Sequence, residues 1–152
     1  MDFPRRHFLR LTAAALAVPV SGIAMAQTPV APQGIELDKV TWVQSADGSG
    51  REFATLAGDR GKAGLYIQLV RWPPNTINKA HSHPDDRYAI VLSGVFYHGY
   101  GDTFDAGKLE RRPTGSFFTE PARVRHFGIT KDEGTILYFV GTGPSTNDDL
   151  EK

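Results

Sequence analysis

The chain contains no cysteine. That excludes a disulfide framework, a thiolate metal site and a cysteine-linked lipid anchor. Any metal here has to be held by nitrogen and oxygen donors. Net charge is also missing: 17 basic and 17 acidic residues are interspersed and give a formal charge of +0. Such a balance carries neither the basic footprint expected of a nucleic-acid binder nor a cationic membrane patch. Helix-periodic stretches are scarce, and the single long apolar run is too short to span a bilayer. What the sequence does have is glycine (16), proline (10) and 40% hydrophobic residues in 152. That length fits one domain with a real core, and the composition suits a turn-rich β protein.

The apolar run belongs to residues 1–26, which read as an export signal. Arg5-Arg6-His7-Phe8-Leu9-Arg10 forms a cationic start, residues 11–20 are alanine-rich and apolar, and Ala24-Met25-Ala26 supplies a small-x-small cleavage site. The paired arginines followed by Phe-Leu-Arg resemble a twin-arginine signal, which exports folded proteins. Cleavage after Ala26 then predicts a periplasmic mature chain starting at Gln27. That chain has 14 basic and 16 acidic residues, formally −2.

Residues 27–34 read as an extended lead-in, 35–143 as the folded domain and 144–152 as a polar, frayed tail. Within the domain, strands are expected over 35–44, 53–57, 64–72, 79–83, 88–97, 116–119, 124–130 and 135–141. Leu37, Val40 and Trp42 are the expected buried face of the first. Pro73-Pro74-Asn75 stops the third, because proline lacks the ladder donor. Many short strands between turns predict an all-β sandwich or barrel. Tyr88, Ile90 and Leu92 alternate with Ala89 and Val91, so both faces of that strand are apolar. One face fills the core; the other calls for a second sheet or a second subunit, and a homodimer is expected.

His81-Ser82-His83 carries the chemistry. Side chains at i and i+2 on a strand point the same way. A third imidazole, from His126 on a neighbouring strand, would give three nitrogen donors able to hold Zn, Fe, Mn, Ni or Cu with positions open for water or substrate. A lone strand histidine is more often a residue satisfied by a hydrogen bond, and His98 is read that way. Trp42, Trp72, Phe96, Phe117 and Phe118 are read as core.

The spacing around these histidines resembles the cupin family, which are small double-stranded β-helix, or jelly-roll, barrels. The family's first motif is a glycine, five residues, His-x-His, three or four residues, Glu, six residues, Gly. Here it runs Asn75, five residues, His81-Ser82-His83, three residues, Arg87, six residues, Gly94. The second motif is Gly, five residues, Pro-x-Gly-x-x-His, three residues, Asn. Here it runs Gly115, five residues, Pro121-Ala122-Arg123-Val124-Arg125-His126, three residues, Thr130. The stretch His83-Pro84-Asp85-Asp86-Arg87 also looks like that of small bacterial cupins of undefined activity. The resemblance implies an all-β, single-domain jelly roll with one divalent transition metal on His81, His83 and His126. It further implies dioxygenase, isomerase or decarboxylase chemistry as candidates, in a family that also contains non-enzymes.

Four positions depart from the pattern. Asn75 stands for glycine, which is mild because asparagine tolerates left-handed backbone. Thr130 for asparagine reads as structural. Arg123 for glycine alters a turn, and strand parity turns Arg123 and Arg125 away from the site while Val124 shares the face of His126. Arg87 for glutamate matters most, since arginine offers no lone pair to a metal. Asp85 or Asp86 is expected to pair with Arg87 and hold it aside, or one of the two to replace the missing ligand. Two functions lead, with a purely structural dimer without ligand as a weaker third. One is an exported metalloprotein acting on a small anionic substrate whose carboxylate Arg87 clamps. The other is a metal-free binding module in which Arg87 and the imidazoles hold a carboxylate or sugar acid, weakening as the imidazoles lose protons. No catalytic residue is assigned.

Overall fold

The computed structural model describes residues 33–148; the expected export signal over 1–26, residues 27–32 and 149–152 lie outside the described residues. Among the described residues, ten strands follow in chain order. They are β1 (Val43–Gln44), β2 (Glu52–Ala57), β3 (Gly64–Trp72), β4 (Ile77–His81), β5 (Arg87–Ser93), β6 (Val95–Tyr100), β7 (Glu110–Pro113), β8 (Phe117–Glu120), β9 (His126–Ile129) and β10 (Thr135–Gly143). They form two antiparallel sheets, ordered β1-β2-β3-β10-β5-β8 and β4-β9-β6-β7. The expected all-β jelly roll is what the chain adopts.

Alternation decides which side chains meet between the sheets. On β5, Arg87, Ala89 and Val91 are buried, whereas Tyr88, Ile90 and Leu92 stay partly exposed on the outer face. On β10, Thr135, Leu137 and Phe139 are buried in the same way. The core joins Val70, Trp72, Ala89, Val91, Phe96, Phe118, Leu137 and Phe139. Trp72 of one sheet meets Phe96 of the other at 5.1 Å between ring centroids, and Phe118 stacks on Phe96 at 5.9 Å. Burying each such side chain contributes about 1.5–3 kcal/mol, which makes this aromatic layer the main attraction between the sheets.

The strand reading needs correction in several places, beginning with strands 79–83 and 124–130, which are β4 at Ile77–His81 and β9 at His126–Ile129. The stretch 88–97 is two strands rather than one, broken at Gly94, whose φ is +74°. A Cβ there would lie 2.1 Å from the Gly134 carbonyl oxygen, so glycine is required for the chain to cross from one sheet to the other. The stretch 35–44 is mostly irregular: a 3-10 turn at Leu37–Lys39 precedes β1, and Leu37 is exposed. Only Val43 and Gln44 find partners, opposite Phe53 and Glu52 at the sheet edge. β7 was not expected, because Glu110-Arg111-Arg112-Pro113 has no apolar alternation. It is an edge strand paired only with β6, where charges and a proline are tolerated.

The described part of the tail is also tied down. Ser82 and Asp148 exchange two backbone hydrogen bonds of 3.0 and 2.8 Å, and Ser145 donates its N–H to the Arg60 carbonyl at 2.9 Å. Polar composition suggested fraying, but backbone pairing with the histidine loop holds residues 145–148 in place.

Candidate metal centre

His81 is the last residue of β4, and His126, the first of β9, lies directly opposite it in the sheet register. Two residues past His81, His83 stands just beyond the end of the strand. Its loop is fixed by the Ser82–Asp148 pairing and by the Arg123 N–H, which donates to the His83 carbonyl at 2.7 Å. The three rings therefore converge, with centroids 4.5 Å apart for His81 and His126, 4.9 Å for His81 and His83, and 5.1 Å for His83 and His126. Each is almost wholly buried. One nitrogen from each ring falls in a group whose members all lie within 4.8 Å of one another.

The hydrogen bonds of the other ring nitrogen set the tautomer. Nδ1–H of His81 donates to the Lys79 carbonyl at 2.8 Å, that of His83 to Thr146 at 2.7 Å, and that of His126 to Val124 at 3.0 Å. A carbonyl only accepts, so in all three rings the proton sits on Nδ1 and the lone pair on Nε2. Backbone carbonyls behind metal-binding histidines fix ring orientation in this manner. Burial lowers the His81 pKa to about 3, reinforced by the neighbouring His126 and His83 rings, and burial lowers that of His126 as well against the pull of Glu120. Both rings are therefore neutral at pH 7, with the His81 lone pair accepting a 3.3 Å hydrogen bond from the Asn78 amide. The donor set fits one divalent transition ion.

Arg87 points into this group. One guanidinium N–H donates to His83 Nε2 at 2.6 Å, Nε lies 3.4 Å from the Glu120 carboxylate, and the guanidinium carbon sits 4.2 Å over the Phe139 ring. The expected pairing with Asp85 or Asp86 does not occur. Asp85 accepts from the Tyr66 hydroxyl at 3.1 Å and the Thr142 N–H at 3.2 Å; Asp86 accepts from the Ala122 N–H at 2.7 Å. Both carboxylates brace the turn, as short acidic side chains commonly do.

Glu120 is the residue that sequence reasoning missed. It ends β8, directly opposite Arg87 on β5, and only 5% of its surface is exposed. Its Oε2 lies 3.4 Å from His126 Nε2 and 3.5 Å from His83 Nε2. Burial works to raise its pKa, but the charge of Arg87, with His126 and His83, outweighs it and holds the carboxyl well below its usual value. The signal was a glutamate closing an apolar strand just before Pro121; the expected strand stopped one residue short of it.

The other flagged residues sort as follows. Arg125 donates to the Ala80 carbonyl at 3.1 Å, and Arg123 is exposed, so both turn away from the histidines as expected. Val124 does not share the face of His126: it is 42% exposed, because β9 begins only at His126. His98 is buried, as a core residue should be, yet neither of its ring nitrogens has a hydrogen-bond partner. Its ring lies 5.7 Å from that of His126, and burial lowers its pKa to about 4. Asn75 and Arg123, which stand where the family motif has glycine, adopt left-handed backbone with φ of +55° and +61°, a conformation that favours glycine.

Two antiparallel sheets closed over a buried cluster of three imidazoles define a jelly-roll protein with a histidine-lined centre. Residues 30–146 match the ChrR cupin-like domain, and the chain belongs to the cupin family. Among solved structures it is similar to the polyketide cyclase RemF from Streptomyces resistomycificus. That match has a TM-score of 0.64 at 16% identity, over 80% of this chain and 89% of that one. It is similar also to a sugar phosphate isomerase of the cupin superfamily from Silicibacter pomeroyi, with a TM-score of 0.58 at 19% identity over 78% and 83% of the two chains. A third is the DMSP lyase DddQ from Ruegeria pomeroyi, with a TM-score of 0.55 at 19% identity over 69% and 57%. At these identities the likeness is one of fold. No curated protein matches the chain.

Proposed function

We propose that the chain is an exported metalloprotein whose His81, His83 and His126 hold one divalent transition ion, and that it acts on a small anionic organic substrate. The observation that carries this reading is the common tautomer: three Nδ1–H groups bonded to backbone carbonyls place all three lone pairs on Nε2, where Asn78 donates to His81 at 3.3 Å and Arg87 to His83 at 2.6 Å. Iron, manganese, nickel, copper and zinc all accept imidazole donors. When bound, such an ion supplies Lewis-acid or oxygen-activating chemistry, in keeping with dioxygenase- or isomerase-like turnover. The similarly folded cyclase, isomerase and lyase support small-molecule turnover.

Arg87 is the substrate-binding residue in this reading. Its N–H now donates to His83 Nε2. With that lone pair committed to a metal, the donor loses its acceptor and turns to a substrate carboxylate, a match for the planar guanidinium. The metal-free module has less support, because Glu120 balances the charge of Arg87 and buried imidazoles of low pKa add none.

Export through the twin-arginine route to the periplasm, supported by Arg5-Arg6 and Ala24-Met25-Ala26, completes the proposal. Folding before export lets the cytoplasm select the metal. A homodimer is supported by the outer face of the larger sheet, where Tyr88, Ile90, Leu92 and Phe117 are all more than a third exposed on adjacent strands. Sedimentation of Phe117→Lys checks it: a shift from dimer to monomer is expected, and a wild-type monomer overturns it.

Elemental analysis of protein from its export compartment tests the metal, beside a His81→Ala/His126→Ala variant. About one equivalent in the wild type, lost in the variant, is the expected result. Folded wild-type protein without metal, even after incubation with each of the five ions, overturns the reading.

A further inference from the structure

We infer that Glu120 is the fourth protein ligand of the ion, having replaced from β8 the carboxylate that β5 gave up to Arg87; this rests on the three-histidine reading above. The argument begins with an incompatibility. Glu120 Oε2 and His126 Nε2 are both acceptors, lie 3.4 Å apart, and are each buried with no hydrogen-bond partner. His126 has already placed its proton on the far side of the ring, against the Val124 carbonyl. Two lone-pair atoms facing each other in a buried setting repel unless a cation lies between them.

Two separations match that cation, those of Glu120 from His126 and His83, while the three histidine nitrogens lie within 4.8 Å of one another and would draw closer around an ion. Ligand atoms about 2.0–2.1 Å from a tetrahedral metal lie roughly 3.3–3.4 Å from each other. Glu120 Oε2 stands 3.4 and 3.5 Å from the two Nε2 atoms, which is too long for a normal hydrogen bond and right for two atoms sharing one ion.

The exchange also explains why Arg87 is tolerated. Arg87 and Glu120 face each other across the β5–β8 ladder, so moving the carboxylate to the neighbouring strand keeps it at the same depth of the fold. The arginine then fills the vacated place, 3.4 Å from the carboxylate, and offsets its charge. One carboxylate and three neutral imidazoles carry a single negative charge, a set suited to divalent iron, manganese, nickel or zinc more than to a soft monovalent ion. Glutamate bonded to a metal and braced by arginine is also held in one orientation.

A crystal structure of the zinc-loaded full-length protein tests this without any substitution. The expected result is a Glu120 carboxylate oxygen about 2.0–2.2 Å from zinc, beside three Nε2 atoms. Zinc on the three histidines, with Glu120 still on Arg87 and more than 3 Å from the metal, overturns the inference and leaves the three-histidine centre standing. Failure of the wild type to bind zinc or any of the other four ions overturns both. Zinc affinities of Arg87→Met and Arg87→Met/Glu120→Gln, by chelator competition, give a second measure. Loss of the carboxylate is expected to weaken binding at least tenfold, while equal affinities in the two folded variants count against a ligand role.

Discussion

Replacing Arg87 by methionine isolates the electrostatics of the centre. The guanidinium is 6% exposed and its partner Glu120 5%, so the pair lies beyond the reach of solvent screening. Methionine fills much of the same volume over the Phe139 ring but leaves the carboxylate uncompensated. Removing one partner of a buried pair costs about 3–5 kcal/mol, and that is the expected loss for the metal-free protein in urea denaturation. Metal reverses the sign. A divalent ion about 5 Å from a guanidinium feels roughly 7 kcal/mol of repulsion at an effective dielectric of about 20, and the variant is free of it. Arg87→Met is therefore expected to bind zinc at least tenfold more tightly than wild type. Saturating zinc at about 100 times the dissociation constant returns about 2.7 kcal/mol of the lost stability. The assay is paired unfolding curves with chelator and with zinc. Metal-free Arg87→Met within about 0.5 kcal/mol of wild type would refute the claim that Arg87 balances a buried carboxylate.

Other outcomes follow from single contacts. Thr130 is wholly buried; its hydroxyl donates to the Pro73 carbonyl at 2.6 Å and accepts from the Thr76 N–H at 3.0 Å. Thr130→Val leaves both backbone groups unsatisfied and should cost about 1–3 kcal/mol in a urea melt. Arg123→Gly relieves a left-handed residue with φ of +61° and should raise stability by about 1 kcal/mol or less, read as a higher melting temperature. Asp47 accepts from the Ser49 N–H and hydroxyl at 3.0 and 2.5 Å and pairs with Arg51. Partial burial works to raise its pKa, but these donors, with Ser45, hold it well below the carboxylate range. A pKa lowered on folding means stability that is full above about pH 4 and lost as pH falls through the unfolded and then the folded value. Asp47→Asn should therefore lower stability at pH 7, flatten the acid side of the profile and converge on wild type at low pH, read from urea melts across the range.

Much of the fold was legible because alternation and turn residues report directly on strands. The stretch 64–72 was read with the boundaries that β3 has, and Pro73-Pro74-Asn75 ends it. What escaped were elements whose partners, not their own residues, create them. β7 consists of three charged residues and a proline, and is a strand only because β6 lies beside it. Trp42 was expected in the first strand's buried face; it instead lies under Arg71, whose guanidinium carbon is 4.4 Å from its ring centroid.

The centre divides in the same way. Spacing alone singled out His81, His83 and His126, because the His-x-His pattern and its distance to the second motif are properties of the chain itself, although His83 lies just past the end of β4 rather than on it. Sequence also showed that Arg87 stands where a carboxylate is expected. It did not show that Glu120 lies across the sheet from it, 33 positions along the chain, since β5 and β8 are brought together by their place at the sheet edge. Nor did it show that the Thr146 carbonyl, in a polar tail, accepts the hydrogen bond from His83 Nδ1–H. The sequence determined which donors exist and that they belong to a jelly roll, because local patterning encodes strand faces. Only the tertiary structure decided which charges meet, because buried ion pairs are set by strand order and register between segments distant along the chain.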